Sequence, residues 1–252
     1  MTNTRAIRNR VPAPNSKGNC VLRNLHIDTF RDLGLSRLRE FSLTLIICSF
    51  SINTQASGAR INPIEDCGLI ENAYGPFDYT DQAHRSVYLN RVERAHFDSN
   101  VYQLKSGVLG RSPLGDLDYT LRAFPNHHLA LDAMARFHRR ANLRQFPEGR
   151  YTIDCWFERA QRFSPNDPAV PLLYGIHLYK TKSYSEAESF LTSAAQMAPE
   201  SAETHYNLGL LYIQLDSLDK SYEHAEIAYS LGFPLSGLRD KLIKLGAWQD
   251  KQ

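Results

Sequence analysis

Beyond residue 165, apolar residues recur at the three- and four-residue spacing of amphipathic helices, in stretches interrupted by short polar turns. The segments NDPAVPLLYGIHLYKTKSYSEAESFLTSAAQMAP and SAETHYNLGLLYIQLDSLDKSYEHAEIAYSLGFP each hold two such stretches and superpose at a step of 34 residues. That step predicts antiparallel helix pairs, each burying its apolar side on the next. Asp167 followed by Pro168 predicts a helix start, and Ser183 with Glu186 reads as a capping box. Pro171 has no N–H to give, which predicts a late start for that helix. Gly232, with Pro234 beyond it, predicts the end of the last repeat helix. Residues 235–252, containing LSGLRDKLIKLGAW, read as a helix covering the open end.

Upstream, NHHLALDAMARFHRR and YTIDCWFERAQRFSP supply a worn third pair. Leu131, Met134 and Phe137 share one face of its first helix, Ala135 takes the close-contact place, and Ile153, Phe157 and Ala160 line the second. ANLRQFPEG between them adds about six residues to the connecting turn. Residues 60–124 do not follow the step. They combine the turn formers and aromatics of CGLIENAYGPFDYTD, a helix over 80–97 carrying Val87, Leu89, Val92 and Phe97, and the Gly-rich loop KSGVLGRSPLGDLD. This stretch is expected to be an irregular arm whose aromatics lie in the groove of the repeats.

The matching positions are specific: Gly175 pairs with Gly209, Leu178 with Tyr212, Leu191 with Ala225 and Ala194 with Ala228, while Pro199 lies one residue off register from Pro234. In these places the chain resembles the tetratricopeptide repeat (TPR), whose small residues let paired helices approach closely and whose proline ends the second helix. Pro171 and His205 stand where that family prefers Trp, and Ser221 replaces the Ala matched here by Ala187. The resemblance covers 128–234 and is carried mainly by 166–234. It implies an all-α fold, a short TPR-like helical solenoid of about two and a half to three repeats (128–167, 168–201 and 202–235). An irregular N-terminal arm and a C-terminal capping helix complete it. The phrase D-x-D-Y-T-L-R-A-x-P-N-H-H from Asp116, with C-G-x-x-E-N-A-Y-G-P-F-D-Y from Cys67, is also similar to a group of secreted proteobacterial repeat proteins.

Charge narrows the functional classes. Residues 1–56 carry eight basic and three acidic side chains, which leaves 21 basic against 24 acidic in the remainder. A slightly acidic body argues against a nucleic-acid partner, which needs a basic stripe. RLREFSLTLIICSFSINTQASGA at 37–59 has the basic start, apolar middle and small-residue end of a secretory signal, cleaved after Ala56 or Ala59; the alternative is a buried core segment. Its apolar part is too short to span a bilayer, so no stable membrane span is expected after cleavage. The polar residues 1–36 ahead of it are expected to be a leader created by a start placed upstream of a true one near Leu33 or Leu35. Removing 1–59 leaves Cys67 and Cys155, expected to form a disulfide in the periplasm or outside the cell, the alternative being two separate buried thiols.

The histidines of PNHHLALDAMARFHRR raise the question of chemistry. Asn126 reads as an N-cap, which puts His127 and His128 in the first turn. His138 lies about 16 Å further along the axis at ~1.5 Å per residue, too far to share an ion. His128 and Asp132 offer two ligands from one face, and no H-E-x-x-H or C-x-x-C completes a set. Asp116, Asp118, Tyr119 and Arg122 in GDLDYTLRAFPN gather with the histidines where the arm meets the first repeat. A rigid junction of paired charges is the favoured reading; an enzyme or metal-dependent site on Asp116, Asp118, Arg122, His127 and His128 is the alternative. No nucleophile elbow, phosphate loop or dinucleotide fingerprint occurs, so no catalytic residue, metal or cofactor is assigned.

The repeat register turns Ala169, Leu172, Ile176, Tyr179 and Lys180, then Glu203, Tyr206, Leu210, Ile213 and Gln214, toward the inner groove. This mostly apolar face with its tyrosines suits an extended or helical peptide, unless the arm fills it. The expected function is a non-enzymatic protein–protein interaction scaffold of the periplasm or cell envelope.

Overall fold

A computed structural model describes residues 67–248, and every regular element among them is helical. The leader at 1–36 and the signal at 37–59 lie outside the described residues. The described chain opens with α1 (Gln82–His84), a π-helical turn (Arg85–Leu89) and α2 (Asn90–His96), which run on as one rod, then α3 (Ser99–Tyr102) and α4 (Leu114–Ala123). There follow α5 (His128–Ala141), α6 (Ile153–Phe163), α7 (Ala169–Lys180), α8 (Tyr184–Met197), α9 (Ala202–Gln214), α10 (Leu218–Ser230) and α11 (Gly237–Lys244).

α7 with α8 and α9 with α10 form the two expected hairpins, and α8 also packs on α9. The close approach runs through the glycines. A Cβ on Gly175 would lie 2.7 Å from Leu191 Cγ, and one on Gly209 would strike Leu238 and lie 3.3 Å from Ser221 O. Ser221 stands in place of the usual alanine without leaving a polar orphan, since its hydroxyl donates to Gly209 O at 2.7 Å.

The turns inside the hairpins follow one scheme. Lys182 (φ 66°) and Asp216 (φ 54°) are left-handed, and the following serine N–H reaches back across the helix end, Ser183 to Leu178 O and Ser217 to Tyr212 O, both at 2.9 Å. This Schellman closure satisfies carbonyls that a helix end otherwise strands. It also corrects the capping-box expectation. Ser183 is the N-cap of α8, but its backbone N–H is already engaged with Leu178 and its side chain makes no capping bond. Pro171 does not delay α7, which begins at Ala169. Proline falls in the first turn, where an N–H has no intrahelical acceptor, and Asp167 Oδ1 accepts from Ala169 N at 3.0 Å.

α5 and α6 form the worn pair and meet over a shorter stretch than the other two. The extra residues between them fold back over it: Phe146 stacks on Phe137 at 4.5 Å, and Arg144 Nε donates to Asp154 at 2.6 Å.

The arm is more helical than expected, and it does not lie in the groove. α4 runs antiparallel to α2, with Thr120 Oγ1 donating to His96 O at 3.3 Å and Val92 buried beside Ala123 and Phe124. Leu117 and Leu121 give α4 an apolar stripe that joins Leu131 and Met134 of α5 in the main core. Tyr74, Phe77 and Tyr88 cluster around Val92 and Phe124, Tyr79 lies between that cluster and the rings of His127 and His128 at the start of α5, and Phe97 joins the main core. Cys67 and Cys155 are joined by a disulfide across a separation of 88 residues. Beside it Arg159 donates to Cys67 O at 2.8 Å and Leu69 O at 2.6 Å, holding the start of the arm on α6. At the other end Leu238 and Leu242 of α11 are fully buried against Ala225, as expected of a capping helix.

Candidate functional site

The inner positions of α7 and α9 are not equally open. Leu172 is buried, Ile176 and Tyr179 are half-buried at the edge of the main core, and Lys180 is exposed with Nζ 5.7 Å from the Tyr179 ring. On α9, Tyr206, Leu210 and Ile213 are half-buried against Leu238 and Leu242 of α11, while Glu203 and Gln214 are exposed. The capping helix therefore shares the face that the repeat register turned inward. Ala169 begins α7, partly exposed.

Aromatic rings cross this region. Tyr184 lies 5.9 Å from Tyr179, and Tyr206 stacks on Phe233 at 4.2 Å. Burial, with the neighbouring Tyr184 and Tyr206 phenols, pushes Tyr179 above its ordinary pKa, so it remains a neutral donor at physiological pH. The Tyr184 hydroxyl lies 3.4 Å from Gln214 Oε1, tying the two repeats together at the surface. Tyr184 and Phe233 were not among the residues read from sequence, because both lie on hairpin ends and not on inner helix positions.

At the arm–repeat junction the histidines are held by carboxylates and backbone. His127, not Asn126, caps α5; its Nδ1 accepts from Ala130 N at 3.2 Å. The ring proton therefore sits on Nε2, which donates to Glu93 Oε1 at 3.1 Å. Burial pushes His127 below its ordinary pKa, against the pull of Glu93. His128 Nε2 donates to Asp167 Oδ2 at 2.8 Å. Asn126 is displaced from the cap because its carboxamide is engaged elsewhere. It accepts from Tyr79 N at 2.9 Å and donates to Asp78 at 2.8 Å and Asp167 at 3.0 Å.

Asp116 and Asp118 lie two residues apart on α4 and serve different neighbours. Asp116 accepts from His96 Nδ1 and from Val108 N, both at 2.9 Å. Asp118 Oδ1 accepts from Arg122 Nε at 2.8 Å, and its buried Oδ2 has Arg150 at 3.5 Å as an ionic neighbour. Arg122 reaches on to Asn72 Oδ1 at 2.9 Å, and Tyr119 stacks on His96 at 3.9 Å. The five residues of the alternative site are thus divided among separate contacts and do not converge on one point. Glu93, Asp78 and Asp167 complete these contacts; only Asp167 had been singled out in the sequence, as a helix cap. Among the described residues no three His, Cys, Asp or Glu side chains gather closely enough to hold a metal ion.

No family model matches the chain. No curated protein matches it in sequence either. Among solved structures, one described as "Functional Characterization of Pseudomonas Aeruginosa pilF" is similar, at 23% identity over 64% of this chain and 69% of that one, with a TM-score of 0.46. The TPR-like character rests on the stacked hairpins, the glycine contacts and the capping helix of this chain itself. Among the described residues no helix is long and apolar enough to cross a membrane.

Proposed function

We propose that the chain is a non-enzymatic interaction scaffold, exported to the periplasm or cell envelope, that receives a peptide or protein partner along α7 and the adjoining edge of α9. The observation that carries this reading is the row of Tyr184, Tyr179, Tyr206 and Phe233 flanked by exposed Lys180, Glu203 and Gln214. Amphipathic rings with a charged rim have the make-up of a protein-binding surface. Because Tyr206, Leu210 and Ile213 also support α11, the contacts open to a partner centre on Ile176, Tyr179, Lys180 and Gln214. The export signal at 37–59 and the disulfide both suit an oxidising compartment.

The test places a photocrosslinking residue at Lys180 or at Gln214 in the full chain expressed in cells, with Glu148 as a control position outside the groove. One crosslinked protein at both groove positions and none at the control is expected, with loss of the adduct in Tyr179→Ala. Adducts that form equally at Glu148, or survive Tyr179→Ala unchanged, would remove the groove from the account. Fractionation of the same cells gives the compartment, and retention of the mature chain in the cytosol would contradict export.

A further inference from the structure

The ends of α3 and α5 are tied together at one corner of the molecule. Arg136 Nη2 donates to Tyr102 O at 2.8 Å with its guanidinium 4.9 Å from the Tyr102 ring, and Arg140 Nη1 donates to Leu104 O at 3.2 Å. The carboxylates nearby are engaged: Asp132 by Arg136, Asp154 by Arg144, Asp118 by Arg122, and Asp116 by His96 and Val108 N. Lys105, Arg111 and Arg140 are exposed and have no carboxylate partner among the described residues.

Between Lys105 and Arg111 the chain closes on itself. Gly107 N donates to Arg111 O at 2.6 Å, and Gly110 N to Gly107 O at 2.9 Å. Asp116 fixes Val108 N, and the Val108 side chain packs inward on the main core. Leu109 is left at the tip, 86% exposed, while Leu143 just beyond α5 is 43% exposed and Tyr102 37%. Leu109 thus projects from a closed loop whose two ends carry Lys105 and Arg111, the most exposed of the large apolar side chains among the described residues.

We propose that this corner docks on an anionic lipid surface, with Leu109 entering the headgroup–acyl boundary while Lys105, Arg111 and Arg140 meet lipid phosphates. Apolar tips with a basic surround are the chemistry of interfacial binding, in which each cation near the surface adds to the attraction. A polyanionic peptide satisfies the cations but gives no partner to Leu109, so a bilayer is the occupant that uses both parts. The inference does not depend on the groove.

The test uses the full chain carrying Leu109→Trp, with wild type as the background for Trp156 and Trp248. Vesicles of phosphatidylglycerol and phosphatidylcholine are expected to shift the added emission to the blue, and brominated acyl chains to quench it. Pure phosphatidylcholine is expected to do neither. Adding Lys105→Gln, Arg111→Gln and Arg140→Gln is expected to weaken binding at least tenfold at about 0.1 M salt. The readout is local, so attachment through another part of the chain leaves the probe unquenched and counts against the proposal. An equal response to pure phosphatidylcholine, or to soluble polyaspartate without vesicles, overturns it as well.

Discussion

Asn126 is the residue through which three segments are joined. Its carbonyl satisfies Tyr79 N–H in the arm, and its amide bridges Asp78 to Asp167, which in turn receives His128 and caps the start of α7. It is fully buried, so its removal leaves a backbone N–H and two carboxylates short of partners where water does not easily replace them. Asn126→Ala is expected to cost about 2–4 kcal/mol in urea unfolding, well above the exposed control Gln103→Ala. The left-handed turn residues predict the opposite sign. Lys182 and Asp216 occupy a conformation that costs an L-residue roughly 1 kcal/mol and glycine almost nothing. Lys182→Gly and Asp216→Gly should each stabilise the fold by about 0.5–1 kcal/mol, read as a higher urea midpoint at unchanged slope. A fall in either midpoint would show that the side chain contributes more than the strain costs.

At the scale of the helices, legibility followed periodicity. α7 to α10 were readable because small and large residues recur at a fixed step, the same step singled out Gly175 and Gly209, and α11 followed from the need to cover the open end. The arm was only partly readable: α4 has the ion-pair spacing of Asp118 and Arg122 and an apolar face, yet it is short and follows a Gly-rich loop. Asn126 does not cap because its carboxamide is bonded to distant partners, and the box at Ser183 does not close because its N–H, which Glu186 would have to reach, is already bonded to Leu178 O. Leu172 to Lys180 fall on α7 and Glu203 to Gln214 on α9, but that α11 covers Tyr206, Leu210 and Ile213 depends on where a later helix lands, which no local pattern encodes. The contact through Gly175 allows a direct test. Alanine has the better helix propensity by about 1 kcal/mol, but here its Cβ would meet Leu191 Cγ at 2.7 Å and Leu191 N at 3.2 Å. Overpacking outweighs propensity, so Gly175→Ala is expected to destabilise by about 1–3 kcal/mol, whereas Gly115→Ala on α4, with nothing within 4 Å, should be neutral or stabilising.

Across the whole molecule, buried imidazoles set the response to acid. Burial pushes His127 and His138 below the ordinary histidine range, and pushes His177 and His224 down to about 4. The hydrogen bonds of His127 and His177 require the neutral form, because each accepts through Nδ1. Arg139 donates to His177 Nδ1 at 3.2 Å, so a proton placed there would set two donors and two positive charges face to face. His205 donates from Nε2 to Pro199 O at 2.9 Å, which leaves its Nδ1 bare to accept from His224 Nδ1, also at 2.9 Å. Lys220 nearby adds to the cost of charging His224. Because these folded-state values lie below the unfolded value of about 6.5, the unfolded chain binds more protons between pH 6.5 and 4. The histidine contribution is therefore complete above about pH 6.5 and is lost as pH falls toward 4, the largest parts of it from His177 and His224. The carboxylate Asp78 responds later: burial pushes it up, but hydrogen bonds from Thr80 and Asn126 hold it below 3.8. Urea midpoints measured from pH 8 to pH 4 should be level above neutrality and fall steeply below pH 6.5. His177→Gln with His224→Gln should flatten that fall, while a midpoint unchanged down to pH 4.5 in the natural chain would mean that the imidazoles are solvated and that the helix pairs do not pack around them as described.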